Sequence, residues 1–195
     1  MSKLLQLLCP DECVGSVPLI DLTNLKNRQI EALLLDLDNT IVPWRSYDVA
    51  PEVAEWVSKA RQGMKVCIVS NSRTPRRVSK LAEELRVSFI KQGGKPRRVG
   101  FKAALKLLGV EPSRAAVIGD QVFTDILGGN RLGAHTILVR PLHRREFIGT
   151  RVSRLAERLV LRMLERRGMI ANQSSFRTSE REQLPNSDCQ KKSEQ

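Results

Sequence analysis

Five short, nearly unbroken apolar runs constrain this chain more than any other feature: ALLLDLD (32–38), KVCIVSN (65–71), VSFI (87–90), AAVIGD (115–120) and HTILVR (135–140). A strand with one face in water alternates apolar and polar residues, whereas a strand covered on both faces reads as a continuous apolar run. Between the runs lie stretches of helical periodicity, at about 51–62, 75–86, 98–109 and 124–132. Buried strands alternating with helices predict a parallel α/β sheet with helices on both sides. Pro51 and Pro75 fit first-turn positions, Thr74 is placed to cap the second helix, and Gly63, Gly109 and Gly133 fit helix stops. Right-handed crossovers then give a doubly wound, Rossmann-like three-layer fold.

Sheets of this kind bind ligands beyond the carboxyl ends of their strands. Here those ends read DLDNT, SNSRT, KQGGK and GDQVFTD, and all four are rich in polar groups. In DLDNT, Asp36 and Asp38 flank Leu37, so on an extended chain their carboxylates share a side. Paired carboxylates suit Mg²⁺, which prefers oxygen ligands, and one of them can also act as a nucleophile. Taken alone the pair fits a strand-end turn equally well, just as Lys95 alone reads as a surface lysine and Ser70 as a turn hydroxyl.

Taken in order, DLDNT (36–40), Ser70, Lys95 in GGKP and GDQVFTD (119–125) resemble the four motifs of the haloacid dehalogenase (HAD) superfamily. The resemblance implies that Asp36 attacks phosphorus to form an aspartyl-phosphate. It implies that Asp38 protonates the leaving oxygen and then deprotonates the hydrolytic water. An acid at that second position resembles the phosphatase branch, since the related transport ATPases lack it. Ser70 would bond a phosphoryl oxygen with the Asn71 backbone nearby, Lys95 would neutralise nucleophile and phosphate, and Thr40 would support the loop. Mg²⁺ would be held by Asp36, Asp120 and the carbonyl of Asp38, with Asp125 orienting the metal shell. Positioning plus cations at the developing charge is what phosphoryl transfer requires.

Members of this superfamily usually enclose small substrates under an inserted cap. The spans from Thr40 to Lys65 and from Asn71 to Lys95 hold a helix each and little more, which predicts an open site with no substantial cap domain. Arg73, Arg76, Arg77, Arg97 and Arg98 crowd the same mouth and suit a substrate or surface with several negative charges. Arginine at helix N-termini opposes the helix dipole, so the placement calls for a reason. A closer resemblance, over residues 1 to about 165, is to subfamily IIIA and the bacterial YqeG-type phosphatases, relatives of mitochondrial phosphatidylglycerophosphate phosphatases. It rests on VPLIDLTNLKNRQIEALLLDLDNTIVPW, SNS, GGKPRRVGFKAAL and GDQVFTDILGGNRLG. That family implies conversion of phosphatidylglycerophosphate to phosphatidylglycerol at a cytoplasm-facing membrane.

The expected organisation is an N-terminal segment (1–30) packing on the core, a phosphatase core (31–145), a basic amphipathic helix (146–168) and a disordered polar tail (169–195). In the helix, Ile148, Val152, Leu155, Leu159 and Met163 form an apolar stripe, with Arg151, Arg154, Arg158 and Arg162 on another. Packing on the sheet and peripheral contact with anionic phospholipid are the two expectations for it. MSKLLQLLCPDE makes a poor signal peptide and no run approaches a membrane span, so the expected location is cytoplasmic, including the cytoplasmic membrane face. Cys9, Cys13, Cys67 and Cys189 lack the spacing of a complete zinc site and are expected to be free thiols in a reducing compartment. The alternatives are a phosphatase for a soluble sugar phosphate, nucleotide or phosphoprotein, and an RNA- or ribosome-binding protein using the net charge of +12. An aromatic content of 4% leaves few stacking platforms, so no specific nucleic acid is expected. The sequence carries no signal for an oligomeric state.

Overall fold

The apolar runs become strands of a single sheet, buried on both faces at its centre. The computed structural model describes residues 3–91, 93–142 and 148–170. In chain order its elements are α1 (Lys3–Leu7), β1 (Glu12–Val14), α2 (Leu22–Asn27), β2 (Ala32–Leu35), α3 (Pro51–Ala60), β3 (Lys65–Val69), α4 (Pro75–Glu84), β4 (Ser88–Ile90) and α5 (Val99–Leu108). There follow β5 (Ala115–Gly119), a π-helical turn (Val122–Ile126), α6 (Leu127–Leu132), β6 (His135–Val139) and α7 (Ile148–Arg166). The strand order is β1-β6-β5-β2-β3-β4 with every neighbouring pair parallel, an α/β Rossmann-like sheet flanked by helices.

The period of two along β2 divides the core. Leu33 and Leu35 join Leu25 of α2, Trp56 and Val57 of α3 and Leu81 of α4 on one face. Ala32 and Leu34 join Phe101, Ala104 and Leu105 of α5 on the other. Because Leu35 registers with Ile118 of β5 and Ile68 of β3, the chain leaves three adjacent strands side by side. That register brings the polar strand ends together.

Several expectations change. A sixth strand, β1, extends the sheet beside β6. Its three residues are only half-buried and carry no apolar run, so no periodicity marks them. Side chains fasten it instead: Asp11 Oδ2 accepts from the Thr136 N–H (2.7 Å) and hydroxyl (2.9 Å), and Asn130 Nδ2 donates to the Leu7 (2.9 Å) and Cys9 (2.8 Å) carbonyls. Thr74 makes no side-chain cap on α4. Gly109 and Gly133 do end α5 and α6, at φ +63° and +84°. Of the apolar stripe expected on α7, Leu155, Leu159 and Met163 are exposed, and another face of the helix is buried. Leu164 and Glu157 are buried, and Val160 and Leu161 pack on a cluster of Leu8, Val122, Ile126 and Leu138.

Cys9, Cys13 and Cys67 are free thiols, and burial pushes Cys13 and Cys67 up to about 12. Cys189, the expected tail from residue 171 onward, residues 146–147 and the side chains of Ile148, Arg151, Val152 and Arg154 lie outside the described residues. Among the described residues no helix is long and apolar enough to cross a membrane.

Candidate active site

β2 continues its pairing just past its apolar residues, with the Asp36 N–H donating to the Ile118 carbonyl at 2.9 Å. The chain then turns at Asn39, whose φ of +65° is a left-handed conformation that asparagine tolerates better than most residues. Asn39 N–H donates to Val42 O at 2.7 Å, while the Ile41 and Val42 N–H groups fall back on Leu37 O. This turn brings Thr40 Oγ1 to 3.3 Å from Asp36 Oδ2 and 3.5 Å from Asp120 Oδ1. Thr40 is buried beside the acids and braces them.

Lys95 enters from the loop after β4. Its Nζ donates to Asp36 Oδ1 and, at 2.7 Å, to Asp125 Oδ1. The Asn71 side chain clamps its backbone from both directions: Lys95 N–H donates to Asn71 Oδ1 (2.9 Å) and Asn71 Nδ2 donates to Lys95 O (3.0 Å). Gly93 N–H donates to Ser70 O at 2.8 Å, tying the same loop to the end of β3. Ser70 is buried and its Oγ accepts the Ser72 N–H at 3.0 Å, which leaves the hydroxyl hydrogen as the group it offers.

Asp125 comes from the π-helical turn that replaces the expected helix start at 124. Asp125 and Ile126 both direct their N–H groups to Gln121 O. Asp125 Oδ2 in return accepts from Gln121 N–H and Thr124 Oγ1, each at 3.2 Å. Its carboxylate lies where a Cβ on residue 119 would be, so glycine is required there.

Asp36, Asp120 and Asp125 are all buried and each offers a carboxylate oxygen within 4.8 Å of the others. Burial raises the Asp125 carboxyl to about 6, with Lys95 opposing and Asp36 adding to the rise. Burial also works against the Lys95 charge, but Asp125 and Asp36 outweigh it and hold the ammonium above its ordinary value. The three buried carboxylates together offer an all-oxygen donor set. That set fits a hard divalent cation such as Mg²⁺.

Asp38 belongs to a different corner. Arg77 Nη2 donates to both of its oxygens at 2.5 Å, Arg77 Nη1 to Ser46 O at 2.8 Å, and Arg45 N–H to Asp38 Oδ1 at 3.1 Å. The sequence groups Arg77 with the exposed arginines of the mouth, yet it is buried. The available signal is its spacing, since Arg77 stands one turn before Leu81 on the inner face of α4. Arg73 and Arg97 are exposed, and Arg98 donates to the Arg131 carbonyl at 3.3 Å. Trp44 and Tyr47, on the loop after DLDNT, are a further exposed pair that sequence reasoning passed over. Arg45 lies 4.5 Å from the Trp44 ring centre and Lys80 lies 5.3 Å from that of Tyr47.

No inserted domain covers the strand ends: among the described residues, α3 alone separates β2 from β3 and α4 alone separates β3 from β4. On the far side of Asp120, a cavity of about 180 Å³ runs between the ends of β1 and β6 and the inner face of α7, with Leu138, Arg140 and Leu161 in its wall.

A family model of HAD-hydrolase-like proteins matches residues 92–141. The probable phosphatase YqeG of Bacillus subtilis is 40% identical over 162 residues, covering 83% of this chain and 94% of that protein. The phosphatidylglycerophosphate phosphatase 1, chloroplastic/mitochondrial, of Arabidopsis thaliana is 28% identical over 172 residues, covering 83% of this chain and 49% of that protein, so the chain spans about half its length. Among solved structures, a HAD phosphatase from Thermococcus onnurineus superposes with a TM-score of 0.51 at 18% identity, over 61% of this chain and 90% of that one, a likeness of fold.

Proposed function

This chain belongs to the HAD-like hydrolases, in the family of YqeG, and is a phosphatase; from that premise we propose that it is a Mg²⁺-dependent phosphomonoesterase whose substrate is phosphatidylglycerophosphate. The observation that carries the mechanism is the buried meeting of Asp36, Lys95, Asp120 and Asp125 at the carboxyl end of the central strand.

In this reading a carboxylate oxygen of Asp36 attacks phosphorus, the bond from phosphorus to the ester oxygen breaks, and Asp38 gives that oxygen its proton. Water then attacks the aspartyl-phosphate. Asp38 takes the water's proton, and the bond from phosphorus to the Asp36 oxygen breaks to release phosphate. Lys95 holds Asp36 in place and balances charge on the phosphoryl group, while Ser70 donates its hydroxyl hydrogen to a phosphoryl oxygen. Asn71 acts by fixing Lys95, and Arg73, Arg97 and Arg98 supply the cationic surround. Asp36, Asp120, Asp125 and the carbonyl of Asp38 would hold Mg²⁺, which supplies Lewis acidity toward the phosphoryl oxygens.

Three features support the lipid as substrate. Among the described residues no cap covers the site, so a headgroup can reach it without leaving its bilayer. Exposed arginines flank the mouth. The Arabidopsis relative is by name a phosphatase for this lipid. The test is phosphate release from micellar phosphatidylglycerophosphate against a sugar phosphate, a nucleoside monophosphate and a phosphopeptide. The lipid is expected to turn over fastest, with a chelator stopping release and Asp36→Asn abolishing it. A soluble ester hydrolysed far faster refutes the lipid. Full activity with chelator refutes the metal, and full activity of Asp36→Asn refutes the nucleophile.

A further inference from the structure

α7 has two apolar faces, and the fold uses one. Its inner face places Leu164 and Glu157 in the interior and Val160 and Leu161 against the third core cluster. Leu155, Leu159 and Met163, spaced one turn apart on another face, are 60%, 57% and 44% exposed. Isolated exposed leucines are common, but a row of three along one helix is a patch that needs an occupant. Arg158, Arg162 and Arg166 are exposed on the same helix.

Charge decides among the occupants. A second copy of α7 laid against the row would bring arginines against arginines. The polar segment 171–195 offers only Phe176 and Leu184 as large apolar residues, too few to cover the row. An anionic bilayer answers both features, because apolar side chains enter at the acyl boundary while arginines meet headgroup phosphates. Position agrees with this. The inner face of α7 borders the cavity that reaches Asp120, and Glu157 Oε1 accepts the Phe123 N–H of the π-helical turn at 3.4 Å. The outer row therefore lies one helix thickness from the strand ends.

We propose that the Leu155–Leu159–Met163 face of α7 docks the protein on an anionic bilayer and so presents the open site to headgroups. This rests on the lipid reading above and goes beyond it by naming the surface.

Vesicle flotation of the full chain tests it, with phosphatidylcholine vesicles that contain or lack phosphatidylglycerol. The protein should float with the anionic vesicles and not with the neutral ones. A Leu155→Glu/Leu159→Glu variant should lose about tenfold in bound fraction while hydrolysing a soluble nitrophenyl phosphate at the parent rate. Parent-like flotation of the variant overturns the proposal, as does equal binding to both vesicle types. A parent dimer that becomes a monomer in the variant, read by light scattering, also overturns it, because the row is then a contact between copies. Turnover of micellar lipid separates the two readings: docking without any lipid hydrolysis leaves the surface standing and removes the substrate. Lipid hydrolysis without vesicle binding does the reverse.

Discussion

Asp36 and Asp38 leave the same strand two residues apart, and the structure puts them in unlike surroundings. Asp36 is buried with Asp120 and Asp125 around Lys95, a lysine whose backbone is itself clamped by Asn71. Asp38 is part-exposed and held by Arg77 alone among the described salt bridges, with backbone support from Arg45. A nucleophile gains from being immobile, because misplacement of the attacking oxygen costs rate steeply. A proton shuttle has to reach first an ester oxygen and then a water. The two environments match those two demands. Arg77 contacts both Asp38 oxygens, and the lone pairs it leaves are what the carboxylate has for an ester oxygen and then a water.

The largest expected effect comes from breaking the buried corner. Lys95→Met leaves the buried Asp36 and Asp125 without their ammonium and should cost about 3–5 kcal/mol of stability, read by denaturant unfolding without added metal. Unaltered stability would mean that Lys95 contributes no net support to Asp36. Next, in a single turnover, Asp38→Asn should slow release of the leaving group about a hundredfold or more from an alkyl phosphate while sparing its release from an aryl phosphate, whose leaving oxygen needs no proton. Equal losses on both esters would refute the shuttle and make the two aspartates alike. The smallest effect sharpens the contrast: Arg77→Lys, which keeps the charge but loses the double contact, should lower kcat about tenfold with KM nearly unchanged. A change in KM alone would assign Arg77 to substrate binding.

The sequence reveals the sheet through β2, β3, β5 and β6 because strands buried on both faces announce themselves in composition. β1 stays hidden because Glu12, Cys13 and Val14 are held by Asp11, Thr136 and Asn130, contacts that no local pattern encodes. The acids and Lys95 are legible because each stands at a strand end. Arg77 is legible only in part: its charge suggests the surface, and only its one-turn spacing from Leu81 points inward. α7 misleads for a related reason. Leu155, Leu159 and Met163 of its apolar stripe are exposed, while its buried face carries Glu157, a residue that pattern reasoning assigns to water. Helical periodicity says that a face is apolar, and the rest of the fold decides which face is covered.

β1 pairs with the last strand of the sheet, with Glu12 opposite Ile137 and Asn130 reaching the Leu7 carbonyl across 123 residues. A ribosome makes residues 7–14 well before β6 and Asn130, their partners at the edge of the sheet. This edge of the sheet therefore cannot close before β6 exists, and its contacts are among the costliest in loop closure. During synthesis residues 7–14 are a waiting partner: the core can gather around β2 while they stay undocked, until Thr136 offers its N–H and hydroxyl to Asp11.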